Sequence, residues 1–185
     1  MNDSTKRAQS IVGTNNDGNR PSNDYYPTPK IGTLGLLKVE TFDGDIWEPA
    51  CGDGSMSRVI ESFGYRVIST DIEPRGYGAQ GDFFFSPLLA PNIITNPPFR
   101  LAREFADRAL SLGCDKLALL CKLAFLEGQS RGEWFPGTPL KSVYVFSKRL
   151  TMTRNGEPQT GGGMIAFAWY VWERDYSGKP AIGWI

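Results

Sequence analysis

Two short stretches carry side chains whose type and spacing suit chemistry. In Glu48-Pro49-Ala50-Cys51-Gly52-Asp53-Gly54-Ser55, the glycines let backbone amides approach a ligand just ahead of a helix N-terminus, and Glu48 stands immediately before them. Asp71 closes the next β-branched run. Its interval from Gly52, about 20 residues, is the one at which an acid meets a ribose hydroxyl in dinucleotide folds. The third glycine of that pattern is absent and Ser57 stands in its place, so the expected ligand is a nucleoside without a pyrophosphate. Glu48 would repel phosphates and suit positive charge, and S-adenosylmethionine combines an amino group, a sulfonium and a ribose with no phosphate. Taken alone, the stretch also reads as a tight strand-to-helix turn. The second stretch, Asn96-Pro97-Pro98-Phe99, ends the apolar run Ile93-Ile94-Thr95. Proline locks φ and cannot continue a sheet ladder, so the chain leaves the strand at its carboxyl end, where open α/β sheets keep their ligands. By itself this stretch also reads as a rigid loop.

The elements that must position these residues alternate along the chain. Strand patterns fall at 45–50, 65–72, 92–96, 116–126, 142–150 and 164–174, with 82–85 a short strand or loop and the end of 116–126 open to a helix. Helices are expected over 55–64, with Ser55 as N-cap and Gly64 as stop, and over 101–113, where Leu101, Phe105, Ala109 and Leu112 share a face and Gly113 ends the run. This alternation predicts an α/β sandwich on a mostly parallel sheet. The last two strands are separated only by the polar, Gly-rich 151–163, which suits a hairpin loop and predicts an antiparallel pair. Residues 1–23 are polar and read as an arm that is disordered or orders on binding. Residues 24–185 form one expected domain.

Together these residues resemble the class I S-adenosylmethionine-dependent amino-methyltransferases of nucleic acids, and in motif order the DNA adenine-N6 enzymes. Their glycine turn is matched by Glu48 to Gly54, their second-strand acid by Asp71 with Ile72 beside it, and their (Asp/Asn/Ser)-Pro-Pro-(Tyr/Phe/Trp) signature by Asn96 to Phe99. Asp82 stands where the family's acid faces the cofactor adenine, next to Phe83. The stretch DYYPTP resembles the N-terminal element that closes over the cofactor's methionine end. The resemblance implies a Rossmann-like sandwich with a mostly parallel seven-stranded sheet and an antiparallel C-terminal hairpin. It implies S-adenosylmethionine held by Tyr26, Pro27, Thr28, Glu48, Pro49, Ala50, Cys51, Gly52, Gly54, Asp71, Ile72, Asp82 and Phe83. Catalysis falls to Asn96, Pro97, Pro98 and Phe99. An adenine amine is a poor nucleophile because its lone pair is delocalised into the ring. Two acceptors, the Asn96 side-chain oxygen and the Pro97 carbonyl, would draw it toward tetrahedral geometry, with Phe99 stacked on the extruded base. Extrusion costs a few kcal/mol. A stack returns roughly 1–3 kcal/mol and two hydrogen bonds about 1 kcal/mol each, so phosphate contacts must supply net affinity. Lys122, Arg131 and Arg154 are the expected substrate contacts, within a stretch from Pro97 to Gly156 where basic residues outnumber acidic ones.

Composition bounds the alternatives. The 185 residues, 41% hydrophobic and 22% charged, are ordinary for a globular protein with a sizeable core. No apolar run approaches a membrane span and no secretory h-region is visible, so a cytoplasmic location is expected. With no histidine, His-based triads and His-ligated metals are excluded. Cys51, Cys114 and Cys121 lack metal-type spacing, no metal is expected, and no Pro-Cys nucleophile of the cytosine-C5 kind is present. The leading expectation is methyl transfer to the amino group of adenine in DNA. The competing readings are the same transfer to RNA adenine or a protein glutamine amide, and a non-catalytic methyltransferase-fold binding protein. The chain has no room for a separate target-recognition domain, so specificity would be low, reside in loops, or come from a partner protein.

Overall fold

In the computed structural model, residues 25–152 and 165–185 are described; the expected arm 1–23, the Gly-rich loop around 156–163 and Arg154 lie outside them. Eight strands form one sheet: β1 (Ile46–Glu48), β2 (Val67–Asp71), β3 (Ala79–Gln80), β4 (Asn92–Thr95), β5 (Lys116–Lys122), β6 (Leu140–Val145), β7 (Phe167–Glu173) and β8 (Ala181–Trp184), in the order β3-β2-β1-β4-β5-β7-β6-β8. The β3 to β5 half is parallel throughout. Strand β7 runs antiparallel to both β5 and β6, as expected for the C-terminal pair, and β8 adds in parallel to β6.

The central strands are buried on both faces, which is why their sequences read as continuous apolar runs rather than alternating ones. Period-two geometry sends successive β5 residues to opposite sides. Leu117, Leu119 and Cys121 join Trp47, Phe105, Tyr170 and Trp172 on one face. Ala118 and Leu120 join Ile46, Ile94, Trp169 and Val171 on the other. Helix α1 (Lys30–Leu37) and α2 (Ser55–Glu61) cover the second face, and α3 (Ala102–Ser111) the first. On α3, Phe105 and Ala109 are buried, with Leu101 and Leu112 packed at the margin. All three cysteines are free and buried. Among the described residues, no helix is long and apolar enough to cross a membrane.

Several local expectations are corrected. The sheet has eight strands rather than seven: 82–85 forms a turn, β3 lies just before it, and β8 is an edge strand too short and exposed to carry a pattern. Ser55 is not the cap of α2 but its first residue. Gly54, in the left-handed region at φ 80°, is the N-cap, while Asp53 Oδ1 accepts from the Ser55 N–H at 2.9 Å and from its hydroxyl at 2.6 Å. The stretch after β5 contains helix α4 (Gln129–Trp134), which the sequence pattern did not announce. Helix α1 was not expected, because glycines at 32 and 35 weaken its pattern. Tertiary contacts hold it: Trp169, fully buried in β7, donates its indole N–H to the Gly32 carbonyl at 2.8 Å. Trp169→Ala is expected to lower unfolding free energy by about 3–5 kcal/mol, read from urea denaturation, because both a large core volume and this tether are lost.

Candidate active site

The order β2-β1-β4 places strand β1 between its sequence neighbour and a strand reached by crossover, and a crevice opens at the carboxyl ends of such strands. Glu48 closes β1, Asp71 closes β2, Asn96 follows β4 and Lys122 closes β5, so the sheet itself delivers these side chains to one edge. A cavity of about 280 Å³ lies there, and its wall includes Tyr26, Pro27, Thr28, Glu48, Pro49, Ala50, Cys51, Asp71, Ile72, Asp82, Phe83, Asn96, Pro97, Pro98 and Phe99. Apart from Gly52 and Gly54, every residue expected to meet cofactor or amine is in this wall.

Glu48 is only 2% exposed, and the Ser57 hydroxyl donates to its Oε2. Ser57 in turn contacts the Ser69 hydroxyl at 2.8 Å. The residue standing where dinucleotide turns have a third glycine thus anchors the acid. Burial pushes the Glu48 carboxyl well above its ordinary range, against the Ser57 hydrogen bonds that act to lower it. Asp71 is partly exposed and organises the turn: Oδ2 accepts the Gly52 N–H at 2.8 Å and Oδ1 the Glu73 N–H at 2.9 Å. A carboxylate has lone pairs beyond these two, which leaves acceptor capacity toward the cavity.

Gly52 and Gly54 have a different immediate role from the close ligand approach expected of them. A Cβ on Gly52 (φ 55°) would lie 2.3 Å from the Tyr25 ring, and one on Gly54 would lie 2.4 Å from the Tyr77 ring. Their amides are engaged by Asp71 and by the Cys51 carbonyl. Tyr25 lies over the turn, accepts the Asp53 N–H at 3.1 Å, and carries the Arg75 guanidinium 4.3 Å from its ring centroid. Tyr25, Asp53, Arg75 and Phe84 all line the cavity; Tyr25 and Asp53 lie within the quoted stretches without having been assigned to the ligand, and Arg75 and Phe84 were not singled out. Tyr25 and Phe84 directly adjoin residues the resemblance had marked, while nothing in the sequence places Arg75.

Asn96 is fixed by the N-terminal segment. Its Nδ2 donates to the Tyr26 carbonyl and to the Thr28 hydroxyl, both at 3.1 Å. A carbonyl can only accept, so the amide orientation is set, and Oδ1 is left buried with no hydrogen-bond partner. Pro97 is buried, and the Pro98 carbonyl takes the Leu101 N–H at 2.8 Å as the chain turns into α3. Phe99 stacks against Tyr26 with centroids 5.8 Å apart. On the far side of the cavity, Asp82 Oδ1 accepts the Phe84 N–H at 2.9 Å, and Phe83 packs on Phe105 at 4.7 Å. Lys122 and Arg131 lie outside this cavity and meet in a second recess that shares Phe99 with the first. Among the described residues, no group of three or more His, Cys, Asp or Glu could hold a metal ion.

Comparison with solved structures gives the same fold. The chain is similar to a candidate RNA methyltransferase from Pyrococcus horikoshii, with a TM-score of 0.63, 16% identity, and coverage of 94% of this chain and 98% of that one. It is also similar to the modification subunit of a candidate type I restriction enzyme from Vibrio vulnificus (TM-score 0.52, 15% identity), covering 96% of this chain but only 48% of that one. A third is the magnesium protoporphyrin IX methyltransferase of Synechocystis, solved with S-adenosylmethionine bound (TM-score 0.50, 14% identity, 92% of each chain). At these identities the likeness establishes the architecture, that of Rossmann-like methyltransferases. No family model matches the chain, and no curated protein matches it in sequence.

Two consequences of this geometry are measurable. Gly52→Ala is expected to destabilise the wild type by about 2–4 kcal/mol in urea denaturation. In a Tyr25→Ala background, where the ring is gone and only the left-handed backbone remains, the cost should fall to about 1–2 kcal/mol. Glu48, with its folded pKa raised, retains a proton that the unfolded chain releases above about pH 4.5. Its contribution to stability is therefore full below that pH and is lost as pH rises toward the folded value. Glu48→Gln should gain melting temperature relative to wild type as pH is raised from 4.5 toward neutrality, and a difference independent of pH would contradict this assignment.

Proposed function

We propose that the chain transfers a methyl group from S-adenosylmethionine to the exocyclic amino group of adenine in DNA. The observation that carries this reading is the buried, unpartnered Oδ1 of Asn96, a residue of the cavity wall. An unsatisfied buried acceptor costs about 1–3 kcal/mol, and an arriving amine N–H recovers it. The Pro97 carbonyl is the second acceptor in this reading, and together they would turn the nitrogen lone pair out of the ring plane.

The cavity also fits the cofactor's chemistry. Its wall carries Glu48, Asp53, Asp71, Glu73 and Asp82 against Arg75 and Arg100, a balance that favours a cationic ligand over a phosphate-bearing one. In this reading Asp71 accepts from ribose hydroxyls. Asp82 with Phe83 and Phe84 flanks the cofactor adenine, and Glu48 ionises to pair with the amino group. When bound, the cofactor supplies a methyl group activated by a positively charged sulfur. The chain's own contribution is alignment rather than a general base, and the proton that the methylated amine sheds passes to solvent. This agrees with a sequence that has no histidine.

A second reading, the same transfer to adenine in RNA, is favoured by the match to the Pyrococcus horikoshii protein along nearly its whole length. Incubation with methyl-labelled cofactor and separate pools of DNA, RNA and protein, followed by mass spectrometry of the products, separates these outcomes. Label is expected as N6-methyladenine in DNA; label in glutamine would displace the adenine reading altogether. Asn96→Ala should lower the rate about 10²–10³-fold, the scale for loss of one preorganised polar contact to the reacting group, with cofactor affinity within a fewfold of wild type. Asp71→Ala should instead abolish cofactor binding in calorimetric titration.

A further inference from the structure

The second cavity, about 210 Å³, lies between the turn after β4 and the end of β5, walled by Phe99, Ala102, Cys121, Lys122, Phe125 and Arg131. Phe99 belongs to both cavities, so this recess is one aromatic ring away from the group that presents Asn96. Its two cations rest on aromatic faces rather than on carboxylates. Lys122 Nζ is 5.1 Å from the Phe99 centroid, and the Arg131 guanidinium carbon is 4.6 Å from that of Phe125.

Several other basic residues of this half of the chain are committed elsewhere. Lys116 lies 2.9 Å from Glu40 and 3.5 Å from Glu173, Lys141 lies 2.6 Å from Glu173, and Arg103 lies 3.6 Å from Asp107. Arg108 donates to the Ser86 carbonyl at 2.9 Å. Lys122 and Arg131 enter none of the ion pairs found among the described residues. A cation on an aromatic face gains about 0.5–2 kcal/mol. A charge-assisted hydrogen bond to an anionic oxygen is stronger, so both groups stand to gain by donating one. The pair is also complementary in kind: Arg131 offers a planar fork and Lys122 a point charge, the two modes by which proteins hold phosphate.

We propose that this recess holds a backbone phosphate of a polynucleotide, flanking the nucleotide whose amine faces Asn96. The inference rests on the methyl-transfer reading above and narrows its substrate to a phosphodiester polymer. Phe99 then separates the two functions, with the reacting base toward Asn96 and the phosphate toward Lys122 and Arg131. A protein amide brings no such anion and would leave both cations on their rings.

The test is the salt dependence of binding, measured by fluorescence anisotropy with a labelled DNA duplex and with RNA of the same sequence, wild type against K122Q/R131Q. Each phosphate contact contributes about 0.9 to the slope of log affinity against log salt on duplex DNA. The double variant should therefore lose about 0.9 of slope, the share of the one phosphate held here, and about 10–100-fold in affinity at low salt. K122R/R131K, which keeps both charges, should stay close to wild type. The polymer held more tightly by the wild type names the source of the phosphate. Cofactor affinity of the same samples reports intact folding, since neither residue lines that cavity. If the double variant fails this check, K122Q and R131Q singly carry the test, each with part of that loss of about 0.9. An unchanged slope overturns the phosphate site while leaving methyl transfer to nucleic acid standing. Transfer of label to protein alone, with none to DNA or RNA, overturns both.

Discussion

A side-chain amide has a donating end and an accepting end, and at Asn96 the first is fully engaged. The Tyr26 carbonyl and the Thr28 hydroxyl hold Nδ2, so the oxygen is fixed by default where nothing in the protein meets it. The strand before it and the prolines after it leave the backbone little freedom to turn the group away. Structural asparagines in protein interiors pair both ends, because an orphaned acceptor weakens the fold. The segment that orients Asn96 also reaches the opposite half of the cavity. Tyr25 accepts the Asp53 N–H over the glycine turn, while its neighbours Tyr26 and Thr28 hold the amide. Four consecutive residues thereby tie the end of β1 to the end of β4.

Electrostatics divides the carboxyl edge of the sheet into two regions. Around β1 and β2 the side chains are mostly acidic, and burial holds the carboxyl of the deepest of them, Glu48, well above its ordinary range. Beyond Phe99, at the end of β5 and on α4, the charge is positive. The boundary is a single ring. A ligand that is cationic at one end and a polymer that is anionic along its length could approach Asn96 from opposite sides without crossing an unfavourable field.

Much of the parallel half was legible in the sequence because burial on both faces gives β1, β4 and β5 apolar runs, β2 is a β-branched run, and β1, β2 and β4 each end in or lead into a polar residue. Glu48, Asp71 and Asn96 were readable for that reason. The antiparallel pairing of β6 with β7 followed from the short polar connection. Helix α1 and strand β8 were not legible: one contains two glycines and is held by Trp169, the other is an exposed edge. The glycines at 52 and 54 announced a close approach but not its partner. The rings of Tyr25 and Tyr77 come from 27 and 23 residues away by number, 52 minus 25 and 77 minus 54, and no local pattern encodes such a meeting. Likewise the convergence of Lys122 with Arg131 depends on the turn between β5 and α4 folding back against Phe99.

The three thiols have a practical corollary. Burial pushes Cys51 up to about 12 and Cys114 up to about 11, and raises Cys121 further still. Since only the thiolate attacks alkylating reagents, the folded chain should be almost inert to them at neutral pH without any protective disulfide. Alkylation kinetics would then act as a built-in clock for breathing motions: Cys121 and Cys114 would time the parting of the sheet from α3, while Cys51 would time the opening of the ligand crevice and slow whenever that crevice is filled.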